Sequence, residues 1–251
     1  MDLKAPLPAS LEFLTLIESS LWPSGWPASR FDAESQTVTL PRLRDVELGE
    51  VKLCRGAMAA LPASVERLWI CGTMLSQSCF QSDPAKQAVV SPPSRLTELN
   101  FSGSNNTALE IRDATTAWPH VTTLKLNECS ACCPFLHFVN NMDRLEVLEA
   151  NDILSLTNWD VRLICLNLGT LRRLSIAGSQ LTTTGAWSIA DKLTHLESLD
   201  ISGCRQLSPV AFFMFAGLRS TLRFLNVLDT NVDSGIVDVL RLCMPACNVV
   251  H

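Results

Sequence analysis

The sequence predicts an α/β solenoid in which each repeat supplies one strand and most repeats add a helix. A nine-residue motif with apolar residues at its positions 1, 4 and 6 occurs seven times. Successive copies begin 24 to 31 residues apart, and most are separated by 25 or 26. A near-constant period in the twenties is typical of solenoids. The copies begin at Val65, Leu96, Val121, Leu145, Leu171, Leu196 and Leu222.

The segment before the first copy, residues 1–64, is predicted to be an N-terminal cap of helix and strand, with the repeats in residues 65–251. Leucines and isoleucines between residues 3 and 21 follow near-helical spacing, and Ser10 is a candidate N-cap. A turn is predicted over residues 22–27, before strand-like runs at 37–40 and 43–48. The second run matches the motif and is a candidate degenerate first repeat.

Three of the intervals between copies, and the segment after the last copy, are predicted to be helical. Apolar residues fall there at i, i+3, i+4 and i+7, which places one apolar stripe on each helix, facing the strand. Thr184 and Ser234 are candidate N-caps, and Ser208 precedes a proline at the first helical position. The stripes are Phe135, Phe138, Val139 and Met142; Val161, Ile164, Cys165 and Leu168; Ala186, Ile189, Ala190 and Leu193; and Ile236, Val239, Leu240 and Cys243.

One interval and the C-terminal segment depart from this pattern. Residues 73–95 contain Pro84, Pro92 and Pro93, which break helices, so we predict a surface loop there. Residues 244–250 begin the motif once more and stop, which predicts a truncated strand that caps the C-terminal end.

The motif resembles the leucine-rich repeat, L-x-x-L-x-L-x-x-[N/C]. Cys129 and Cys204 fall at position 9, which is similar to the cysteine-containing subfamily known from F-box substrate receptors and related adaptors. Other copies carry Thr73, Ser104, Ile153, Ser179 or Thr230 at that position. The resemblance implies a right-handed horseshoe with a parallel β-sheet on the concave face and helices on the convex face.

Positions 3 and 5 of the motif are predicted to form the exposed face of that sheet. Neighbouring residues on a strand face opposite sides, so these positions point away from the buried positions 4 and 6. We interpret them as a mixed-charge strip that binds protein, with Trp69 and Phe224 as aromatic anchors near its ends. The alternative is an ordinary solvated sheet, with Phe224 packed under the C-terminal cap. The predicted binding residues are Arg67, Trp69, Glu98, Asn100, Lys125, Glu149, Arg173, Asp200 and Phe224.

Composition and motifs argue against several function classes. The chain has 251 residues, a net charge of −5 and no run of Lys or Arg, which disfavours general nucleic-acid binding. It has no apolar run of 18 residues, so membrane insertion is not expected. Cys129 and Cys132 form a C-x-x-C, but the other candidate pair of ligands for a shared zinc ion, Cys243 and Cys247, lies more than four repeats away. We therefore expect no metal, no cofactor and no catalytic residues.

These observations predict a non-enzymatic interaction scaffold that is one subunit of a multi-subunit assembly with protein partners. The ten cysteines without a secretory signal favour a reducing, cytoplasmic location, with an organelle left open. The alternative is an F-box-like substrate receptor of a cullin-type ubiquitin ligase, because Leu7 and Pro8 resemble the start of an F-box. The Trp-Pro turns that follow fit that alternative poorly.

Overall fold

One ten-stranded parallel sheet runs through the computed structural model, which describes residues 7–17, 40–51, 53, 57–58, 61–80, 95–129 and 132–251. Each strand pairs with the strands next to it in the chain, so the sheet order is the sequence order. The strands are β1 Phe13–Ile17, β2 Asp45–Gly49, β3 Arg67–Cys71, β4 Glu98–Asn100, β5 Thr123–Lys125, β6 Val147–Glu149, β7 Arg173–Ser175, β8 Ser198–Asp200, β9 Phe224–Asn226 and β10 Asn248–Val250.

The motif leucines build the core between this sheet and the helices. The position-4 residues pair across strands in an unbroken register, from Leu68 on β3 to Leu225 on β9. Positions 1, 4 and 6 are buried in all seven copies, as the motif predicts. Stacking identical units buries apolar residues that no single repeat could cover. The predicted α/β leucine-rich-repeat solenoid is therefore the observed fold.

Helices form the second layer, and each follows the strand of its own repeat. Neighbouring helices also pack on each other, as α3 does on α4 and α4 on α5. The helices are α1 Gln77–Phe80, α2 Ala108–Ala117, α3 Asn158–Asn167, α4 Thr183–Lys192, α5 Pro209–Met214 and α6 Ser234–Cys243, with 3-10 turns at Phe135–His137, Val139–Asn141 and Phe215–Leu218.

Three of the four predicted apolar stripes face the core, with Ala190 half-buried and their other residues buried, although one of the three is not an α-helix. The stripe that begins at Phe135 lies in two short 3-10 turns, because aromatic, β-branched and asparagine residues disfavour α-helix there. On α6 the prediction is wrong for Val239 and Cys243, which are exposed, whereas Val237 and Leu240 are buried. Apolar residues lie on two faces of α6, and the face that packs against the core is the one with Val237 rather than the predicted one with Val239.

The helix starts were predicted with mixed success. Ser208 is the N-cap of α5 with Pro209 at the first helical position, as predicted. The N-caps of α4 and α6 are Thr182 and Asp233 rather than Thr184 and Ser234. In α6 the Asp233 carboxylate accepts a hydrogen bond from the backbone N–H of Ile236, at 2.8 Å, which fixes the start one residue earlier.

The helix predicted across residues 3–21 is wrong at Phe13–Ile17, which forms β1. Leu14 and Leu16 alternate with exposed residues, a period of two that suits a strand once β2 supplies hydrogen-bonding partners. The rest of that prediction, the turn at 22–27 and the run at 37–39 lie outside the described residues. Between residues 73 and 95, the structure shows α1, and residues 81–94 also lie outside the described part.

In three copies the position-9 side chain joins its repeat to the preceding one. The Thr73 hydroxyl donates to the carbonyl of Leu48 at 3.0 Å and accepts from the N–H of Val51 at 2.9 Å. Cys129 donates its thiol to the carbonyl of Phe101 at 2.7 Å, and Cys204 repeats this contact with the preceding repeat. These bonds satisfy backbone groups where the strand ends, so both cysteines have the structural role that their position predicts.

Candidate protein-binding surface

Two parallel rows of side chains cover the concave face of the sheet. The register places the position-3 residues of neighbouring strands side by side, and likewise the position-5 residues. All nine predicted binding residues lie in these rows, and all are exposed or half-buried. With strands about 4.8 Å apart, ten of them give a face about 40 Å long, enough for a folded domain or an extended peptide.

An aromatic pair stands at the N-terminal end of the face. The rings of Phe13 and Trp69 lie 6.0 Å apart between centroids at an angle of 48°. The Arg67 guanidinium lies 6.0 Å from the Trp69 ring, and the Trp69 indole N–H donates to a Glu98 carboxylate oxygen at 3.3 Å. Trp69 is thus held in one orientation while part of its surface faces solvent, which suits a binding anchor.

Ion pairs link neighbouring strands along the same half of the face. Arg67 donates to both carboxylate oxygens of Asp45, at 2.5 and 2.7 Å. The Lys125 ammonium lies 3.4 Å from Glu98 and 3.8 Å from Glu149, between the two carboxylates. Pairs this exposed contribute little to stability, so their main effect is to fix where the charges lie.

Three position-5 residues also have a local structural task. The side-chain oxygens of Asn100, Asp200 and Asn226 each accept the backbone N–H two residues further on, at 2.9, 2.9 and 3.2 Å. This is the Asx-turn geometry, and it ends the strand. Asp200 also accepts a hydrogen bond from the Asn226 amide at 3.1 Å. Asn and Asp at position 5 suggest binding groups when only the sequence is considered, but here they also help to shape the scaffold.

The remaining predicted residues are more solitary. Arg173 is exposed on β7 beside Val147 and Ser198, and no acidic partner contacts it among the described residues. Phe224 is half-buried on β9, beside Asn248 of the last strand. Since the rows place both side chains on the exposed face, they remain candidates for partner contact.

Sequence reasoning missed the first strands of this surface. Phe13, Asp45 and Glu47 lie in register with the predicted rows, on β1 and β2. The alternation around Leu14 and Leu16 was the available signal for β1, and the motif match over residues 43–48 was the signal for β2. The helical interpretation of residues 3–21 hid the first of these.

The convex helices also expose large apolar side chains that the stripe analysis did not consider. They lie on α3 to α6, outside the concave rows, and each is between 44% and 81% exposed. These residues are Trp159, Leu166, Trp187, Val210, Phe213 and Leu242.

The cysteines around the C-x-x-C do not assemble a metal centre in the described part of the chain, where no three Cys, His, Asp or Glu side chains are grouped as ligands. Cys129 and Cys132 are both buried, and burial raises the pKa of the Cys129 thiol. The Cys132 thiol hydrogen-bonds the Cys133 sulfur, an interaction that raises the pKa of Cys132 and lowers that of Cys133. These contacts point to protonated structural thiols at Cys129 and Cys132.

Parallel strands in chain order, outer helices and buried motif leucines define this protein as a leucine-rich-repeat solenoid. Among solved structures it is similar to an internalin (inlF) from Listeria monocytogenes, with a TM-score of 0.51 and 13% sequence identity. The match covers 96% of this chain and 80% of the internalin chain, and at that identity it concerns the fold alone. No family model and no curated protein sequence matches. No helix in the described ranges has the length and hydropathy that crossing a bilayer requires.

Proposed function

We propose that this protein is a non-enzymatic scaffold that binds a partner protein through the concave face of its sheet, as a subunit of a larger assembly. The observation that carries the proposal is the pair of continuous side-chain rows, which present oriented aromatic and charged groups over many strands. Aromatic residues and arginine are enriched among residues that dominate binding energy. Trp69, Arg67 and Arg173 supply both kinds.

Pre-organisation supports the same proposal. Trp69 and Lys125 are held by neighbours on adjacent strands, so a partner would not have to order them. Binding to side chains that are already fixed avoids much of the entropy cost of association. The described thiols fit a reducing location such as the cytoplasm, because Cys129 and Cys204 donate hydrogen bonds as thiols.

The experiment compares two triple variants of the full chain. Trp69→Ala, Lys125→Ala and Arg173→Ala together remove the concave anchor and two cations, and we expect them to abolish capture of the partner. Affinity purification with quantitative mass spectrometry measures the capture, and thermal melting followed by circular dichroism checks the fold.

The matched control carries Arg162→Ala, Trp187→Ala and Lys192→Ala, the same three residue types exposed on α3 and α4. This variant should capture the partner as well as the wild type does. Unchanged capture by the concave variant, or a loss seen only with the control, would contradict the concave proposal.

The second candidate function, an F-box-like ligase receptor of the cysteine-containing subfamily, has support from Cys129 and Cys204 at position 9. The strand at Phe13–Ile17 occupies the segment where an F-box helix would begin, which weakens it. Co-purification with an adaptor subunit of a cullin-type ligase would favour this alternative over the general scaffold.

A further inference from the structure

The carboxylates of the concave side are concentrated toward the C-terminal ends of the strands. Positions 5 and 8 of the repeats, counting the motif match that begins at Leu43, carry seven of them and one ammonium, that of Lys125. Their net charge of −6 compares with −5 for the whole chain, so the other residues sum to about neutral. We call these seven residues the acidic stripe: Glu47, Glu50, Glu128, Glu149, Asp152, Asp200 and Asp229.

The opposite edge of the sheet has the opposite tendency. Positions just before the strands carry seven exposed arginines against five carboxylates, those of Glu12, Glu66, Asp143, Glu146 and Glu197. Among the described residues, Arg44 and Arg172 are the only ones of these arginines that are ion-paired, to Glu66 and Glu197. Seven arginines minus five carboxylates leave this edge with a net charge of +2, against −6 for the acidic stripe at the C-terminal ends of the strands. These arginines are Arg42, Arg44, Arg95, Arg144, Arg172, Arg219 and Arg223.

The stripe continues from one repeat to the next. At position 8 the chain adopts a left-handed conformation in every repeat, with glycine in some copies and an acidic residue in others, including Glu128 and Asp152. The Asp152 carboxylate leans over the neighbouring repeat and occupies the space that a Cβ on Gly178 would take. Glu50, Glu128, Asp152 and Asp229 are exposed, and no cation pairs with them among the described residues.

The carboxylates of the acidic stripe fall into three groups that are spaced at similar distances along the sheet. They lie on β2, on β5 and β6, and on β8 and β9, while Trp69, Gly72 and Gly103 occupy the stripe positions of the strands between the first two groups. At about 4.8 Å per strand, successive groups are about 15 Å apart. An extended chain covers that distance in four or five residues.

The aromatic pair lies at the first of these groups. Glu47 is paired in register with Thr15 on one side and Trp69 on the other, and the Thr15 hydroxyl donates to its carboxylate at 3.2 Å. Phe13 and Trp69 therefore stand next to a carboxylate that no cation neutralises in the described part of the protein. Aromatic faces and a carboxylate together favour a Lys or Arg side chain.

We propose that the partner presents an extended basic segment that runs along the sheet, with Lys or Arg at intervals of four or five residues facing the acidic stripe. This inference rests on the proposed concave-face scaffold and adds the chemistry of the partner to it. The first cation is held at Glu47, Phe13 and Trp69, and the following ones at the group on β5 and β6 and the group on β8 and β9. The opposite edge, where arginines outnumber carboxylates, attracts the same segment less, which favours a position at the C-terminal ends of the strands.

The test pans a phage-displayed library of random 16-residue peptides on the full-length protein. Enriched peptides should contain Lys or Arg four or five residues apart. The fluorescein-labelled synthetic peptide is then titrated by anisotropy against the wild type and against a variant with Glu47→Gln, Glu149→Gln and Asp200→Asn. We expect binding to weaken at least tenfold in this variant.

The control variant, Glu66→Gln, Glu146→Gln and Glu197→Gln, removes three carboxylates from the opposite edge and should change binding less than twofold. The inference is overturned if no peptide is enriched, if the enriched peptides lack basic residues, or if both variants weaken binding equally. Non-basic peptides that lose binding in the Trp69, Lys125 and Arg173 alanine variant would overturn this inference while the scaffold proposal stands.

Discussion

Cys165 shows what burial does to a thiol in this core. It lies on α3 in the apolar stripe and is only 3% exposed. Burial raises the pKa of its thiol to about 12, because a thiolate would lose its hydration there. The folded state therefore keeps a proton that an unfolded chain releases near its ordinary pKa of about 8.5.

We predict that stability falls as the pH rises between about 8.5 and 12. The folded state binds more protons than the unfolded state in this window, so Cys165 alone should lower the free energy of unfolding by about 1.4 kcal/mol per pH unit. Urea unfolding at pH 8, 9 and 10 measures the slope. The sequence contains no tyrosine whose titration would add to it.

Cys165→Ala is the comparison for this prediction. It removes a buried side chain and should be less stable at every pH, but its stability should fall more slowly as the pH rises. Identical slopes for the two proteins would show that Cys165 ionises in the folded state as readily as in the unfolded one.

The alternation of residues along a strand predicted which individual residues are exposed, but not which contacts their side chains make. Arg67 and Arg173 follow directly from their places in the motif. The structural task of Asp200 was not inferred, although an Asn or Asp at the end of a strand is an Asx-turn signal, since its side chain can accept the backbone N–H two residues further on. The pairing of Lys125 with Glu98 and Glu149 needed the register between strands, which one repeat does not encode.

At the scale of elements, α2 and α3 both begin with a capping box, one on the exposed side of the protein and one buried. In α2, the Glu110 side chain accepts the backbone N–H of Thr107 at 2.7 Å on the exposed side of the protein. In α3, Asp160 is buried and accepts the N–H of Thr157 at 3.0 Å, the Thr157 hydroxyl at 2.8 Å and the N–H of Phe135 at 3.0 Å. The second capping box therefore also connects two repeats.

Asp160→Ala should destabilise the protein by about 3 kcal/mol, because it leaves buried backbone donors without an acceptor. Glu110→Ala removes one exposed cap interaction and should cost about 1 kcal/mol. Chemical denaturation of both variants measures the difference. Equal losses would mean that the bond from Phe135 to Asp160 contributes nothing beyond the cap itself.

Elements were predicted best where the intrinsic preference of the segment and its packing agree. On α3 the apolar stripe and the helix coincide, and the prediction is confirmed. Residues 13–17 form a strand because β2 offers an edge to pair with, a contact that local spacing does not reveal. Residues 135–141 keep their predicted buried face but not the helix, since burial needs only the stripe to face inward.

For the whole molecule, the repeat explains why the fold was predictable and the binding surface less so. Every copy of the motif has apolar residues at the same buried positions, such as Leu148 and Leu174, so seven copies support the same prediction of a solenoid. The residues at exposed positions change from copy to copy, so the repeat gives no second observation that supports a binding role for any one of them. The acidic stripe becomes visible only when positions 5 and 8 of all the repeats are compared together.

The repeat architecture also predicts how far along the chain a destabilising substitution acts. Leu174 lies in the middle strand region, on β7, and pairs only with Leu148 and Leu199 across the sheet. Since each solenoid repeat contacts mainly its neighbours, Leu174→Ala should weaken its own repeat and the two interfaces beside it. A buried Leu→Ala change costs about 2–5 kcal/mol, which corresponds to amide exchange about 30-fold or more faster.

Hydrogen exchange followed by mass spectrometry can locate that effect. Peptides covering β6 to β8 should exchange faster in Leu174→Ala, whereas those covering β2 and β3 should change little. Leu68→Ala on β3 is the matched control and should produce the reverse pattern, because Leu68 occupies the same motif position near the other end of the sheet. Equal acceleration of every strand in both variants would instead show that the solenoid opens as one cooperative unit, with coupling that reaches beyond neighbouring repeats.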